Sequence, residues 1–250
     1  MIRVEHLKKA FRNVKALDDV SADFLKGQVT ALIGPNGSGK TTLLKSLLGM
    51  VNPDSGNIYF DGKSIRNDEK YRGRLGYMPQ IGRFPDNMKV RQLIQMIKDI
   101  RGVASSTDNE LFETFAIDSI GEKTMQSLSG GTRQKVSATL AFMFNPEVII
   151  LDEPTAGLDP VSSELLKEKI LQEKKRGKLI LISSHILSDL EDFTTNIVYL
   201  QDGRIQISDT LDNIREYTGQ ARLGKAIAQL MQHGFRKEAV CNARPSIIKV

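Results

Sequence analysis

Short runs of consecutive apolar residues alternate along the chain with longer stretches in which leucine and isoleucine recur every three or four positions. GQVTALIG (27–34), EVIILDE (147–153) and KLILISS (178–184) are apolar and rich in β-branched residues, the pattern of strands covered on both faces. TTLLKSLLGM (41–50) gathers its leucines on one side and predicts a helix. SSELLKEKILQEKKRG (162–177) predicts another, ended by Gly177. Strands alternating with helices predict an α/β domain built on a mostly parallel sheet.

The middle of the chain reads differently. From about residue 81 to 145 the periodicity is mainly helical, in VRQLIQMIKDIRG, DNELFETFAI and GTRQKVSATLAFMF. This predicts a helical subdomain inserted into the α/β body. Near the end, Leu223, Ala226, Ile227, Leu230 and Met231 stand at the spacing of an amphipathic helix.

The bulk numbers narrow the class. The chain has 250 residues, 40% hydrophobic and 26% charged, ordinary for a globular protein with a real core. No apolar run approaches the roughly 20 residues that span a bilayer, and MIRVEHLKKAF lacks a signal-peptide core, so a cytoplasmic protein is expected. The single cysteine, Cys241, excludes an internal disulfide. The net charge of +5 is concentrated after residue 216. There Arg222, Lys225, Arg236, Lys237, Arg244 and Lys249 face one acid, Glu238, while residues 1–216 sum to zero. Residues 217–250 are read as a short basic extension, a solvated surface unless it meets anionic lipid or an acidic partner.

The strand at 27–34 ends in a glycine-rich turn that opens a helix. Gly34, Gly39, Lys40 and Thr41 satisfy G-x-x-x-x-G-K-[ST] in the context its mechanism needs. Glycines let the backbone curl so that successive N–H groups converge on phosphate oxygens, and the helix N-terminus adds partial positive charge there. Lys40 can reach the β- and γ-phosphates, and the Thr41 hydroxyl suits Mg²⁺. A kinase, a GTPase or a motor could share this loop.

Two further stretches narrow the choice. VIILDEP (148–154) sets two acids at the C-terminal end of a buried strand, where ligands lie in open α/β sheets. Asp152 suits a Mg²⁺ ligand, and Glu153 could polarise an attacking water. LSGGTRQK (128–135) places Ser129, Gly130 and Gly131 at the start of a predicted helix, a second anion-binding device. One nucleotide needs only one such device. Two copies facing each other, each loop meeting the serine-glycine turn of its neighbour, would use both.

In combination these motifs resemble the ATP-binding cassette (ABC) ATPases over at least residues 1–216. GPNGSGKT matches the Walker A loop, LSGG the family signature and VIILDEP the Walker B strand with its catalytic glutamate. The resemblance implies a P-loop fold with an antiparallel β subdomain near the N-terminus and a helical insertion. It implies ATP and Mg²⁺ as ligands. Gly34, Pro35, Asn36, Gly37, Ser38, Gly39, Lys40, Thr41 and Thr42 would hold the phosphates, and Thr41, Gln80 and Asp152 the metal. Gln80, in LGYMPQ, matches the glutamine loop, and His185, in ISSHIL, the switch histidine that touches the γ-phosphate. Asp159, in GLDP, matches the D-loop crossing the dimer interface, and Phe11 the aromatic that stacks on adenine. Lys40, Gln80, Glu153 and His185 are the expected catalytic set. Thr132 and Lys135 depart from the usual glutamine and arginine.

Members acting in DNA repair carry a very long coiled coil between loop and signature. Here about 87 residues separate Thr41 from Leu128, with no sustained heptad. Members acting on ribosomes usually carry two cassettes; this chain has one. The resemblance therefore implies the ATPase subunit of a transporter, peripheral on the cytoplasmic face of the membrane and acting on no nucleic acid. Its partners would be a second ATP-binding subunit, a separate transmembrane permease docked near residues 81–110, and a periplasmic accessory protein. YMPQIGRFPDNMKVRQLIQMIKDIRG also resembles cassette subunits of copper-processing transporters that serve nitrous oxide reductase maturation. Exporters of drugs, lipids or polysaccharides come close as well. One cysteine and three histidines make no copper site in this chain.

Overall fold

Strand β3 (Val29–Ile33), which feeds the glycine-rich turn, runs through a six-stranded sheet. The order is β10 (Arg204–Thr210), β9 (Asn196–Gln201), β3, β8 (Leu179–Ser183), β7 (Val148–Asp152) and β6 (Leu75–Met78). Only β10 pairs antiparallel; the other neighbours are parallel. All five residues of β3, β7 and β8 are buried, which is why their sequences are apolar apart from Thr30 and the strand-ending Asp152 and Ser183. In this computed structural model, residues 1–102 and 107–232 are described.

Alternate residues of these strands feed two cores, one on each face of the sheet. Val29, Ala31, Ile33, Ile149, Leu151, Ile180 and Ile182 join one. Leu32, Val148, Ile150, Leu179 and Leu181 join the other. The second core is closed by α1 (Lys40–Leu47) and by a separate antiparallel sheet, β2 (Val14–Phe24), β1 (Ile2–Phe11), β4 (Ser55–Phe60) and β5 (Lys63–Ser64). This is the antiparallel subdomain the resemblance implied. Truncating one of these buried branched residues, Ile150 for instance, costs about 2–5 kcal/mol.

The segment expected to be helical from 81 to 145 holds α2 (Val90–Arg101), the five-residue α3 (Glu110–Thr114) and α4 (Gly130–Met143). Residues 81–89 are not helical. Nor is α4 wholly part of an insertion. It lies along β6, and a Cβ on Gly76 would fall 2.0 Å from the Ala141 carbonyl oxygen, so the bare glycine is what permits that approach. The helix predicted at 162–177 begins two residues earlier, at Pro160, because Asp159 caps it: α5 is Pro160–Lys175.

A buried ion network ties α3 to α5. The Lys169 ammonium is fully covered and donates to Asp108 at 2.6 Å and Glu110 at 2.8 Å, with Glu173 at 3.1 Å. Glu173, itself buried, also pairs with Arg176 at 2.6 Å and with Lys178.

Beyond the sheet, α6 (Leu211–Thr218) runs across the expected boundary at 216, and α7 (Leu223–Gln232) follows. Leu223, Ala226 and Ile227 are buried in the same core as the sheet, while Met231 stays half exposed. Of the basic extension, Arg222 and Lys225 fall within the described residues; Arg236, Lys237, Arg244 and Lys249 lie outside them, as does Cys241. No helix among the described residues is long and apolar enough to cross a membrane.

Candidate active site

The glycine-rich turn leaves β3 and is pressed against its neighbours by its bare backbone. Gly34 has φ +149°, and a Cβ there would lie 2.1 Å from the Leu200 carbonyl oxygen. Gly39 has φ +108°, and a Cβ would lie 2.3 Å from the Ala16 carbonyl oxygen. Any larger residue at either position would displace the loop. Helix α1 starts at Lys40, so its free N–H groups open onto the turn. Lys40 is almost wholly buried, and its ammonium donates to the carbonyl oxygens of Gly34 (2.7 Å) and Pro35 (3.0 Å). Burial draws its pKa down, while the charges of Glu153 and Asp152 oppose that shift. The buried Ser38 hydroxyl in the same loop has no protein hydrogen-bond partner.

Strands β7 and β8 end level, with Asp152 opposite Ser183, and this register builds the acidic side of the site. Ser183 Oγ donates to Asp152 Oδ1. Burial raises the Asp152 pKa, and the neighbouring Glu153 charge adds to it; Ser183 and Lys40 pull it back. Glu153 turns sharply off the strand at φ +52°, and its N–H donates to Ser183 O and Oγ, both at 3.1 Å. The turn swings its carboxylate to His185, where Oε2 and Nδ1 are 2.8 Å apart. An open cavity of about 190 Å³ brings together Lys40, Thr41, Thr42, Gln80, Asp152 and Glu153. A larger one, about 420 Å³, lies by the N-terminal sheet near Asn57, Arg66 and Asp68, away from the loop and both strand-end acids.

The serine-glycine turn at 129–131 lies elsewhere. Ser129 caps α4, its Oγ accepting from Thr132 N at 3.2 Å and lying 2.8 Å from Thr132 Oγ1. Ser129 and Gly130 are exposed. Gly131 sits so close to the loop after β7 that a Cβ would fall 2.6 Å from the Gly157 carbonyl oxygen. Asp159 is engaged within the chain: it pairs with Lys135 at 2.9 Å and accepts from Ser162 N and Oγ (2.9 and 2.7 Å), and Lys135 first, then Ser162, hold its carboxyl below the usual range. Ser129, Gly130, Gly131, Asp159 and Phe11 do not line the cavity. Phe11 is half exposed, with the Lys9 ammonium 5.4 Å from its ring centroid.

Sequence reasoning missed Ser183 and Gln134. Ser183 holds both Asp152 and Glu153, and the only hint was a hydroxyl ending an apolar strand. Gln134, buried on α4, donates to the Gln80 backbone carbonyl at 2.9 Å and so joins α4 to the segment after β6.

A family model described as ABC transporter matches residues 17–156. The lantibiotic transport ATP-binding protein SrtF of Streptococcus pyogenes is 33% identical over 224 residues, 89% of this chain and 94% of that protein. The chain belongs to the ABC transporter family of ATP-binding proteins. It is an ATPase of that family. The ABC transporter ATP-binding protein YtrB of Bacillus subtilis is 35% identical over 86% of this chain and 74% of its own length. The Nod factor export ATP-binding protein I of Ralstonia nicotianae is 30% identical over 82% of this chain and 65% of its own. Among solved structures, an ATP-binding subunit of an ABC transporter superposes with TM-score 0.84 at 29% identity, covering 92% of this chain and 99% of that one. A dimeric bacterial ABC transporter cassette shares the fold at TM-score 0.76 and 23% identity, over 84% of this chain and 99% of its own.

Proposed function

We propose that this ABC ATPase closes as a pair around ATP and drives a separate transmembrane permease, in the direction of export. The observation that carries the reading is the separation of the two phosphate-binding devices. Residues 36–42 of the loop share a cavity with both strand-end acids, whereas Ser129 and Gly130 stand exposed outside it. A second copy of the chain is the simplest body that could bring the serine-glycine turn to that cavity.

In this reading the backbone N–H groups of the loop and the Lys40 ammonium hold the phosphates. Glu153 aligns the attacking water and accepts its proton, and His185 fixes the geometry at the γ-phosphate. Ser129 and Gly131 of one copy contact the γ-phosphate held by the other, so hydrolysis loosens the pair. Thr41, Gln80 and Asp152 line the same cavity and offer a small set of oxygen donors, which suits Mg²⁺, an ion that takes few protein ligands beside phosphate. Bound there, Mg²⁺ would neutralise charge on the phosphate oxygens. Phe11 and Asp159 are assigned to adenine stacking and to the interface between copies.

Export is favoured because the relatives include proteins of lantibiotic transport and Nod factor export. Copper processing finds no counterpart in those names, and no group of three or more His, Cys, Asp or Glu able to hold a metal occurs among the described residues. Purification of the tagged chain from detergent-solubilised membranes tests the reading. A polytopic membrane protein should co-purify in fixed ratio and stimulate ATP turnover. Recovery with ribosomes or DNA instead, or turnover indifferent to the membrane fraction, would overturn it.

A further inference from the structure

The His185 side chain is 57% exposed and stands where β8 gives way to an irregular segment. No regular element follows at once to hold it: Ile186 N closes a small turn on Ser184 Oγ at 3.0 Å, and a short 3₁₀ turn spans Leu187–Leu190. Yet a residue that must meet a phosphate group has to be placed to within a fraction of an ångström. Two contacts between residues outside the cavity lining supply the mount. The first joins the loops that carry Glu153 and His185. Thr155 Oγ1, two residues after Glu153, donates to Asp189 Oδ2 at 3.1 Å, four residues after His185. The second lies behind it. Glu191 Oε1 accepts from the backbone N–H of Leu223 at 2.6 Å, a carboxylate at the N-terminus of α7, where the helix dipole favours it. Leu190 and Phe193 are buried in the same core as Leu223, Ala226 and Ile227 of α7.

We infer that Thr155 and Asp189 are positioning residues for hydrolysis, a brace that keeps the His185 loop in register with the Glu153 loop, with Glu191 anchoring its far side to α7. The inference rests on the roles given above to Glu153 and His185. It adds that the direct Glu153–His185 bond is not the sole tie between the loops. When His185 turns toward a phosphate, the brace keeps the loops from drifting apart. Neither Thr155 nor Asp189 lines the cavity; they act through His185.

ATP turnover of the full-length chain tests it. Thr155→Val keeps the shape and removes the donor, and kcat should fall about fivefold, the worth of one such hydrogen bond, with KM for ATP unchanged within about twofold. Thr155→Ser restores the hydroxyl and should restore kcat to within about twofold. In a His185→Ala background Thr155→Val should cost nothing further, because the group it positions is gone. Glu191→Ala should lower kcat in the same way and speed hydrogen exchange of residues 186–191. Normal kcat in Thr155→Val, or a loss as large with His185 absent as with it present, would overturn the brace while leaving the site intact. Normal turnover in His185→Ala alone would remove the role of His185, and the brace with it.

Discussion

His185 Nδ1 lies 2.8 Å from Glu153 Oε2, a bond between the ends of two adjacent parallel strands 32 residues apart in sequence. It exists because β7 and β8 end level and because Glu153 adopts a left-handed backbone that swings its side chain sideways. The acid proposed to accept the proton of water is therefore held by the histidine proposed to meet the γ-phosphate.

Glu153→Gln keeps the shape of that pair and removes the base. ATP should still bind, hydrolysis should fall by about 10²–10⁴-fold, and the chain should elute as an ATP-dependent dimer in size-exclusion chromatography. A monomer under saturating ATP would argue against the shared site.

Lys40→Ala removes a buried ammonium whose hydrogen-bond partners among the described residues are two carbonyls of its own loop. Affinity for ATP, read by fluorescence titration, should drop at least about tenfold, the worth of a charge-assisted contact. Unchanged affinity and turnover would remove the phosphate assignment.

Gly131→Ala adds a methyl group 2.6 Å from the Gly157 carbonyl oxygen. The start of α4 must then move off the loop after β7, at a cost of about 1–3 kcal/mol. The ATP-dependent dimer of the Glu153→Gln variant should weaken when this change is added, while ATP binding to the single chain persists.

Lys169→Met leaves Asp108, Glu110 and Glu173 without their central cation. Stripping one partner from such a buried set costs about 3 kcal/mol, or roughly 6–12 °C in Tm. A calorimetric scan at neutral pH would read it.

Arg74 binds both oxygens of Glu147 at 2.6 Å and Asp61 at 2.5 Å. Glu147 is lowered to about 2 by the Arg74 hydrogen bonds, and Asp61 to about 2, first by the N-terminal amine and then by Arg74. Folding therefore favours their ionised forms. The stability this gives is present above about pH 4.5, near the carboxylates' unfolded values, and is lost as pH falls toward 2. The groups are more than a third exposed, so screening keeps the effect small. Arg74→Gln should lower Tm by only about 1–3 °C at pH 7 and flatten its fall between pH 4.5 and 2.5.

Strands β3, β7 and β8 were legible because each is buried on both faces and is apolar apart from Thr30 and the terminal Asp152 and Ser183. The phosphate loop was legible for a related reason: glycines, lysine and threonine must sit at fixed offsets between a strand and a helix. The N-terminal sheet was not read from periodicity. Register shifts in β1, between Val4 and Leu7 and again near Lys9, break its alternation. Helix α4 was read as part of an insertion because nothing local distinguishes it; Gly76, distant in sequence, is what lets it lie against β6. Ser183, Gln134 and the Thr155–Asp189 contact were invisible for the same reason. Each pairs residues about 30 or more positions apart, and their types are common everywhere.

The resting place of the Lys40 ammonium has a bearing on which anions the loop admits. Its charge is already satisfied by two oxygens of the turn, so an entering group must outcompete them rather than fill a bare positive hole. A weakly held monovalent ion gains little from that exchange, whereas a chain of phosphates, reaching the helix end and the lysine together, gains at every oxygen. In the proposed phosphate-binding role, discrimination against the small anions of the cell would begin with the loop's grip on its own lysine.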